Sequence, residues 1–271
     1  MEKERLREVQ GWILDMDGVL YRDTQPIAGA KELLEFLQEH RIPFLLLTNN
    51  STLTPEQYES KLAGMGIRVP ASRILTSSLA TAAYLKERLP AGAQLYVIGE
   101  DGLRQALRQA GFRIMASRDG CTAVVVGLDR SLTFAQLKEA ALAIRAGAAF
   151  IATNADRTLP TPEGEIPGNG AILAALEVAT GISPVVVGKP EPRILLWAVQ
   201  QLGLPAQAVA CVGDRLETDV VGGRRAGLLT VLLLCGVTTA EHLASASVAP
   251  DFVFPDPQAL LIAIASARSG S

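Results

Sequence analysis

The sequence predicts an α/β fold in which helices cover parallel strands. Short runs rich in Val, Ile and Leu alternate with longer amphipathic stretches along the 271 residues, which is the pattern of parallel sheets buried on both faces. Glycine ends many of the amphipathic stretches, as a left-handed C-terminal cap requires. Polar residues directly follow several apolar runs, and open α/β sheets bind ligands at those strand ends.

The elements follow this alternation in order. Strands are predicted at nine short apolar runs, 12–14, 44–47, 94–98, 123–126, 150–152, 184–187, 209–212, 230–234 and 252–254. Helices are predicted at eight longer stretches, 29–40, 54–64, 78–88, 101–110, 133–146, 169–180, 193–202 and 257–266. Six glycines are expected to end helical segments: Gly66, Gly111, Gly147, Gly181, Gly203 and Gly227.

The stretch from Asn154 to Asn169 is predicted to be an irregular, functional loop. It contains three prolines and two glycines. It also exceeds the usual connection length of about 2 to 6 residues. Long loops often carry binding residues, whereas a structured, turn-rich connection is an equally valid interpretation.

Composition argues against several classes of function. The 25 Lys and Arg residues nearly balance the 28 Asp and Glu residues and are scattered, so a nucleic-acid polymer is not an expected partner. The only histidines are His40 and His242, and neither lies near a carboxylate cluster in the sequence. A histidine-based catalytic triad or zinc site is therefore not expected.

The sequence is that expected of a cytoplasmic protein with no membrane partner. Residues 1–10 are rich in Glu, Lys and Arg and lack the apolar stretch of a secretory signal. The longest apolar runs are shorter than the roughly 18 residues needed to span a bilayer. Cys121, Cys211 and Cys235 are widely separated within apolar runs, so we predict reduced, buried thiols and no disulfide.

Acidic residues follow two of the predicted strands. Asp15 and Asp17 come after the first strand, and Asp214 and Asp219 after the strand at 209–212. Carboxylates that converge on one crevice repel one another unless a cation offsets their charge. An all-oxygen set of ligands selects a hard ion, so Mg²⁺ is the predicted cofactor.

Phosphate-binding groups follow two other strands. Thr48, Asn49 and Asn50 supply a hydroxyl, two amides and main-chain donors, and Lys189 adds a positive charge. Each motif alone has a structural explanation as a turn or a helix cap. Four such motifs at strand ends on one edge of a sheet favour a shared function.

With these motifs the sequence resembles the haloacid dehalogenase-like (HAD) superfamily, subfamily IIA, of the NagD or p-nitrophenylphosphatase type. The matching motifs, in family order, are DMDGVL at 15–20, TNNS at 48–51, VGKP at 187–190 and GDRLETD at 213–219. Further matches are TNAD at 153–156, PGNG at 167–170 and Pro250-Asp251. Two departures are Ala28, where the family usually has Pro, and Asn169, at a variable position.

The resemblance implies a discontinuous Rossmann-like core at 1–80 and 184–271, with an α/β cap of type IIA at 81–183. It implies that Asp15 is the nucleophile and that Asp17 is the general acid and base. Asp15, the main-chain carbonyl of Asp17 and Asp214 would hold Mg²⁺, and Asp219 would support them.

The resemblance further implies that Thr48, Asn49 and Lys189 bind the transferred phosphoryl group, with Asn50 as a further candidate. The predicted function is therefore a Mg²⁺-dependent phosphatase that hydrolyses small-molecule phosphomonoesters through an aspartyl-phosphate. Substrates of the p-nitrophenyl phosphate, nucleotide, sugar phosphate or phosphoglycolate type all remain open. Asn154, Asp156 and the loop to Asn169 are candidates for selectivity.

Two other functions stay open at this point. A phosphotransferase would use the same intermediate with an alcohol acceptor. A receiver-like phospho-acceptor also combines acidic residues, Thr and Lys around Mg²⁺, but its order of motifs along the chain differs and it has no cap. A homodimer is a further possibility, because an apolar surface of the cap would support one.

Overall fold

A computed structural model describes residues 2–161 and 163–269. The ends of the predicted domains at residues 1 and 271, and Pro162 of the predicted loop, lie outside the described residues. The strands are β1 Gly11–Leu14, β2 Tyr21–Arg22, β3 Gln25–Pro26, β4 Phe44–Thr48, β5 Ile74–Thr76, β6 Gln94–Ile98, β7 Arg113–Met115, β8 Ala123–Val126, β9 Ala149–Ala152, β10 Thr158–Thr161, β11 Gly164–Pro167, β12 Val185–Val186, β13 Val209–Gly213, β14 Leu229–Leu233 and β15 Phe252–Phe254.

The helices alternate with these strands. They are α1 Glu2–Arg7, α2 Ala30–Glu39, α3 Pro55–Gly64, α4 Ser77–Lys86, α5 Asp101–Gln109, α6 Phe134–Arg145, α7 Asn169–Thr180, α8 Pro192–Leu202, α9 Val221–Arg225, α10 Ala240–Ala244 and α11 Pro257–Arg268. A π-helical turn at Leu216–Val220 precedes α9 directly. None of the helices in the described part of the chain is long and apolar enough to cross a membrane.

The chain divides into two compact units. The first contains residues 1–48, 59–75 and 189–271, and the second contains residues 49–58 and 76–188. A six-stranded sheet has the order β15-β14-β13-β1-β4-β5. β1 pairs in parallel with β13 on one side and β4 on the other. All four residues of β1 are buried, so this central strand is fixed by apolar contacts on both faces.

The second unit has its own sheet of five strands, in the order β12-β9-β8-β6-β7. Its pairings are parallel throughout. The core beneath it combines apolar residues of β6 and β8 with one face of α6 and α7. An antiparallel hairpin of β10 and β11 completes this unit.

The predicted α/β class is confirmed, and every predicted strand and helix is present with ends shifted by only a few residues. All six glycines expected to end helical segments have positive φ. The predicted irregular loop from Asn154 to Asn169 is wrong in part, because the hairpin β10–β11 lies within it and α7 begins at Asn169. Pro160 and Pro167 lie in the two strands of this ribbon, where few ladder hydrogen bonds are needed.

The prediction for the cysteines is also corrected in part. All three are free thiols, as expected, but only Cys211 is buried, whereas Cys121 and Cys235 are partly exposed.

The short elements β2, β3, β5, β7, α1, α9 and α10 were not predicted. Each spans six residues or fewer, too short for a hydrophobic period to be read from the sequence.

Candidate active site

Asp15 lies at the carboxyl end of the central strand β1. Its backbone N–H donates to the carbonyl of Val212 at 2.8 Å, which continues the pairing with β13 past the end of the strand. The chain then turns at Gly18, where φ is +81°. A Cβ at Gly18 would collide with the carboxylate of Asp214. Glycine is therefore required there both by the backbone and by the close approach of Asp214.

Lys189 joins two carboxylates of the first unit. Its Nζ lies 2.8 Å from Oδ1 of Asp15 and 2.6 Å from Oδ1 of Asp219. The lysine is only 2% exposed. Burial lowers the pKa of Lys189, but attraction to Asp15 and Asp219 outweighs it and the pKa is raised. The ammonium group is therefore charged at neutral pH.

A group of three carboxylates surrounds this lysine. Asp15, Asp214 and Asp219 each present an oxygen, and these oxygens all lie within 4.8 Å of one another. Asp214 accepts a hydrogen bond from the backbone N–H of Val237 at 2.7 Å through Oδ2. Its Oδ1 is buried and has no hydrogen-bond partner among the described residues. An orphaned buried carboxylate oxygen is costly and indicates a missing partner.

The two oxygens of Asp219 are both used within the protein. Oδ1 accepts from Lys189, and Oδ2 accepts from the backbone N–H of Arg215 at 3.1 Å and from the hydroxyl of Thr218 at 3.3 Å. Asp219 is thus placed to hold Lys189 and the turn at 215–218.

Charge in this group is not balanced by the protein alone. Burial raises the pKa of Asp15 well above its ordinary value; Lys189 opposes the rise, and Asp219 and Asp214 add to it. Burial, followed by repulsion from Asp219, raises the pKa of Asp214 to about 6. Three carboxylates with one ammonium leave excess negative charge in a buried place. Their oxygens and the orphaned Oδ1 of Asp214 fit a hard divalent cation such as Mg²⁺.

Asp17 has different neighbours from Asp15. The hydroxyl of Tyr21 donates to its Oδ2 at 3.3 Å, and Nζ of Lys61 lies 4.1 Å from the centre of the Tyr21 ring. Burial raises the pKa of Asp17, whereas Lys61 and the Tyr21 hydrogen bond oppose the rise. The carboxylate of Asp17 is not one of the three that form the acidic group.

Thr48 ends β4 in the first unit and is 2% exposed. Asn49 and Asn50 follow it in the sequence but belong to the second unit. Asn50 accepts hydrogen bonds from the N–H and hydroxyl of Thr52 at 3.0 and 2.8 Å. This arrangement shapes the turn that precedes α3.

Asn49 is part of a buried polar network in the second unit. Its Nδ2 donates to both oxygens of Asp156, at 3.1 and 3.3 Å. Its carbonyl accepts from Nδ2 of Asn154 at 2.7 Å, and Asn169 donates to the carbonyl of Asn154 at the same distance. Asn154 and Asp156, two candidates for selectivity, are therefore partners in one network with Asn169, the last residue of the candidate loop.

Sequence reasoning missed Tyr21 and Lys61. Tyr21 directly follows the first motif at 15–20 but is not part of it, and Lys61 lies on α3, which carries no motif. The pairing of Asn49 with Asp156 was missed too, because 107 residues separate them. The only local signal was that Asn154 and Asp156 follow β9, as Asp15 and Asp17 follow β1.

Comparisons with known proteins show which family the chain belongs to. Residues 12–113 match a family model described as haloacid dehalogenase-like hydrolase, and residues 186–260 match a second, HAD-hydrolase-like model. An acid sugar phosphatase of Staphylococcus aureus is 41% identical over 251 residues, which cover 93% of this chain and 96% of the relative.

Solved structures are similar along nearly the whole chain. A 4-nitrophenylphosphatase from Thermotoga maritima is 37% identical, with a TM-score of 0.91 over 96% of this chain and 99% of that one. A glycerol phosphate phosphatase from Mycobacterium tuberculosis, in complex with magnesium, is 33% identical, with a TM-score of 0.87 over 96% of this chain and 78% of that one. The chain is therefore a phosphatase enzyme that belongs to the haloacid dehalogenase-like hydrolases, in subfamily IIA with the NagD and p-nitrophenylphosphatase types.

Proposed function

We propose that this phosphatase is Mg²⁺-dependent and hydrolyses small-molecule phosphomonoesters through an aspartyl-phosphate formed on Asp15. The observation that carries the proposal is the carboxylate of Asp15, which ends the central strand, contacts Lys189 at 2.8 Å and lies beside Asp214 and Asp219. This arrangement joins a nucleophile, a fixed cation and a set of metal ligands.

The first step uses Asp15 as the attacking group. A carboxylate oxygen of Asp15 forms a bond to phosphorus while the bond from phosphorus to the leaving alcohol oxygen breaks. Lys189 favours the ionised form of Asp15, which the attack requires, and its ammonium neutralises oxygens of the phosphoryl group. The hydroxyl of Thr48 and the amide of Asn49 are proposed to orient the same oxygens, with Asn50 in a supporting position.

Asp17 is proposed to move the proton in both steps. Its pKa is raised by burial, which favours a protonated carboxyl that donates to the departing alkoxide. The resulting carboxylate then removes a proton from water, which attacks phosphorus and breaks its bond to Asp15. Inorganic phosphate leaves, and Asp15 and Asp17 return to their starting states.

The residues that would hold Mg²⁺ are Asp15, the main-chain carbonyl of Asp17, and Asp214. When bound, the ion supplies positive charge that stabilises the phosphoryl oxygens and keeps Asp15 ionised. Asp219 acts through Lys189 and the turn at 215–218, because both of its oxygens already accept hydrogen bonds from these groups.

The substrate is proposed to be a sugar or polyol phosphate. This class is supported by the relatives, which are named acid sugar phosphatase and glycerol phosphate phosphatase. Residues 1–80 and 184–271 are proposed as the catalytic core, and 81–183 as a cap that selects the leaving group through Asn154, Asp156 and the stretch to Asn169. A cytoplasmic location and a homodimer belong to the same proposal.

The test is release of inorganic phosphate from p-nitrophenyl phosphate and from a panel of sugar phosphates. Asp15→Asn should lower turnover by at least about 10³-fold, and removal of Mg²⁺ with a chelator should abolish it reversibly. Asp119→Asn, an exposed carboxylate of the second unit, is the matched control and should stay fully active. Wild-type turnover by Asp15→Asn would overturn the proposal.

Glycerol added as an acceptor separates hydrolysis from phosphoryl transfer. A hydrolase yields one phosphate for each alcohol released, whereas a phosphotransferase yields glycerol phosphate at the expense of free phosphate. The proposal expects free phosphate to equal released alcohol.

A further inference from the structure

A polar cleft lies in the second unit, and none of its lining residues is assigned to catalysis above. Its volume is about 320 Å³. Its walls are the start of α3, the loop from β6 into α5, and the loop from β8 into α6. A small ligand of the size of a sugar fits this volume.

The cleft lies at the topological switch point of the five-stranded sheet. From β6 the chain crosses to β7 on one side, and it returns to β8 on the other side. The loops that leave β6 and β8 at their carboxyl ends therefore diverge, and the cleft lies between them. Open α/β sheets bind ligands at this point because the diverging loops leave a crevice there.

Close packing of the backbone shapes the wall next to α5. The N–H of Gly102 donates to the carbonyl of Thr52 at 2.9 Å. A Cβ at Gly102 would lie 2.5 Å from the carbonyl oxygen of Leu53. Glycine at this position therefore lets residues 51–53 lie against the first turn of α5.

Two opposite charges are fixed in the cleft, and neither has a counterion among the described residues. Arg104 donates from Nε to the carbonyl of Gly99 at 2.7 Å and from Nη2 to that of Val97 at 3.1 Å, so its guanidinium is held in one place. Asp129 is only 6% exposed. It accepts hydrogen bonds from Gly99 N–H, Ser131 N–H and the Ser131 hydroxyl, all uncharged donors.

Two glutamines add amide donors to the same walls. The side-chain oxygen of Gln57 accepts from Thr54 N–H, and that of Gln136 accepts from Thr133 N–H, both at 2.8 Å. Each amide is thereby oriented by a capping box, and its nitrogen has no partner within the part of the chain that the structure describes.

The charge of the lining disfavours an anion. Asp101 and Asp129 outnumber Arg104, while Glu100 is neutralised by Arg130 at 2.7 Å. We infer that the cleft binds an uncharged polyhydroxylated molecule, a free sugar or polyol. Its hydroxyls donate to Asp129 and Asp101, and they accept from Arg104 and the glutamine amides.

The experiment is a titration of the full ¹⁵N-labelled chain, without Mg²⁺, with ribose, glycerol and inorganic phosphate. Ribose and glycerol should shift the backbone amide signals of Gly99, Asp101 and Ser131, and phosphate should leave them unchanged. Binding is measured without turnover, so the result is independent of whether the proposed phosphatase mechanism is correct.

Variants locate the site. Asp129→Asn should weaken ribose binding about tenfold through loss of a charged acceptor. Asp101→Asn, which is exposed and so keeps the fold, should weaken it about threefold, and Asp119→Asn should leave it unchanged. Ribose shifts confined to residues outside the cleft, or a response of these amides to phosphate, would overturn the proposal. So would wild-type ribose affinity in both Asp101→Asn and a folded Asp129→Asn.

Discussion

Nζ of Lys189 lies 2.8 Å from Oδ1 of Asp15; the lysine side chain is buried, and that of Asp15 is 13% exposed. The lysine is the only basic side chain that forms an ion pair with the acidic group in the described part of the chain. We therefore expect its charge to affect both the proposed reactivity of Asp15 and the stability of the first unit.

Lys189→Met should lower activity by at least about 100-fold and reduce the free energy of unfolding by about 3 to 5 kcal/mol at pH 8. Without the ammonium, the folded-state pKa values of the carboxyls rise further above those of the unfolded chain. A carboxyl with a raised folded-state pKa is destabilising above that pKa, so the loss should shrink toward pH 5. Urea unfolding at both pH values measures it.

Lys138→Met removes an exposed lysine that contacts Glu139 and serves as the control. It should unfold like the wild type at both pH values. Equal stability of Lys189→Met and wild type at pH 8 would contradict this account.

Mg²⁺ should stabilise the folded protein, because it binds a site that the unfolded chain lacks. At a concentration one hundred times its dissociation constant, the gain is about 2.7 kcal/mol. Binding should weaken as pH falls through about 6, where Asp214 takes up a proton. Calorimetric titration with Mg²⁺ at pH 5 and pH 7.5 measures the binding, and urea unfolding with and without Mg²⁺ measures the stabilisation. Asp214→Asn should abolish Mg²⁺ binding, and the control Asp119→Asn should retain it. Wild-type Mg²⁺ binding by Asp214→Asn would exclude Asp214 as a ligand.

Tyr21→Phe should shift the alkaline limb of the rate profile to higher pH. The Tyr21 hydroxyl donates to Asp17 and lowers its pKa, so removal of the hydroxyl raises that pKa. In the proposed mechanism Asp17 must be protonated to act as an acid, so activity should persist to higher pH. A profile of kcat/KM against pH tests this. The control is Tyr84→Phe, on α4 of the second unit, which should leave the profile unchanged. A shift of the alkaline limb toward lower pH in Tyr21→Phe would refute the role of Tyr21.

Asp251→Asn should destabilise the first unit in a pH-dependent way. Burial raises the pKa of Asp251, but hydrogen bonds from Arg5 at 2.6 Å and from Thr230 outweigh it and lower the pKa. Because the folded-state pKa is depressed, the stabilisation is present above the unfolded pKa of about 4 and is lost as pH falls through the folded value. The expected loss is about 1 kcal/mol at pH 7 and shrinks as pH falls through the folded value, measured by urea unfolding. Arg5→Gln should cost less, since Arg5 is half exposed.

The motifs that follow the predicted strands located most of the acidic group and its lysine. Asp15, Asp17, Asp214 and Asp219 were predicted to converge from their positions after apolar runs. Oxygens of Asp15, Asp214 and Asp219 do meet within 4.8 Å, whereas the carboxylate of Asp17 is not in this group. Parallel pairing makes this inference possible, because it brings carboxyl ends to one edge of the sheet. The particular ion pair between Lys189 and Asp219 was not predictable, since it depends on the π-helical turn at Leu216–Val220.

Long-range polar contacts were the least predictable features. The Asn49 amide is predicted from its motif to bind phosphate, but its hydrogen bond to Asp156 was not predicted. No local pattern links these residues, because they meet only after the second unit has folded. The hairpin β10–β11 was missed for a related reason: proline and glycine predict irregular backbone, but the antiparallel pairing of Thr158–Thr161 with Gly164–Pro167 still forms.

Residues 49–58 belong to the second unit although the chain on both sides of them belongs to the first. The polypeptide therefore changes unit four times, and no single contiguous fragment encodes either one. A gene fragment for residues 76–188 alone would omit Thr52, whose carbonyl accepts the Gly102 N–H. It would also omit Asn49, which directly follows β4. Transplanting this module into another hydrolase therefore requires moving the ten-residue segment with it, as a second, separate insertion.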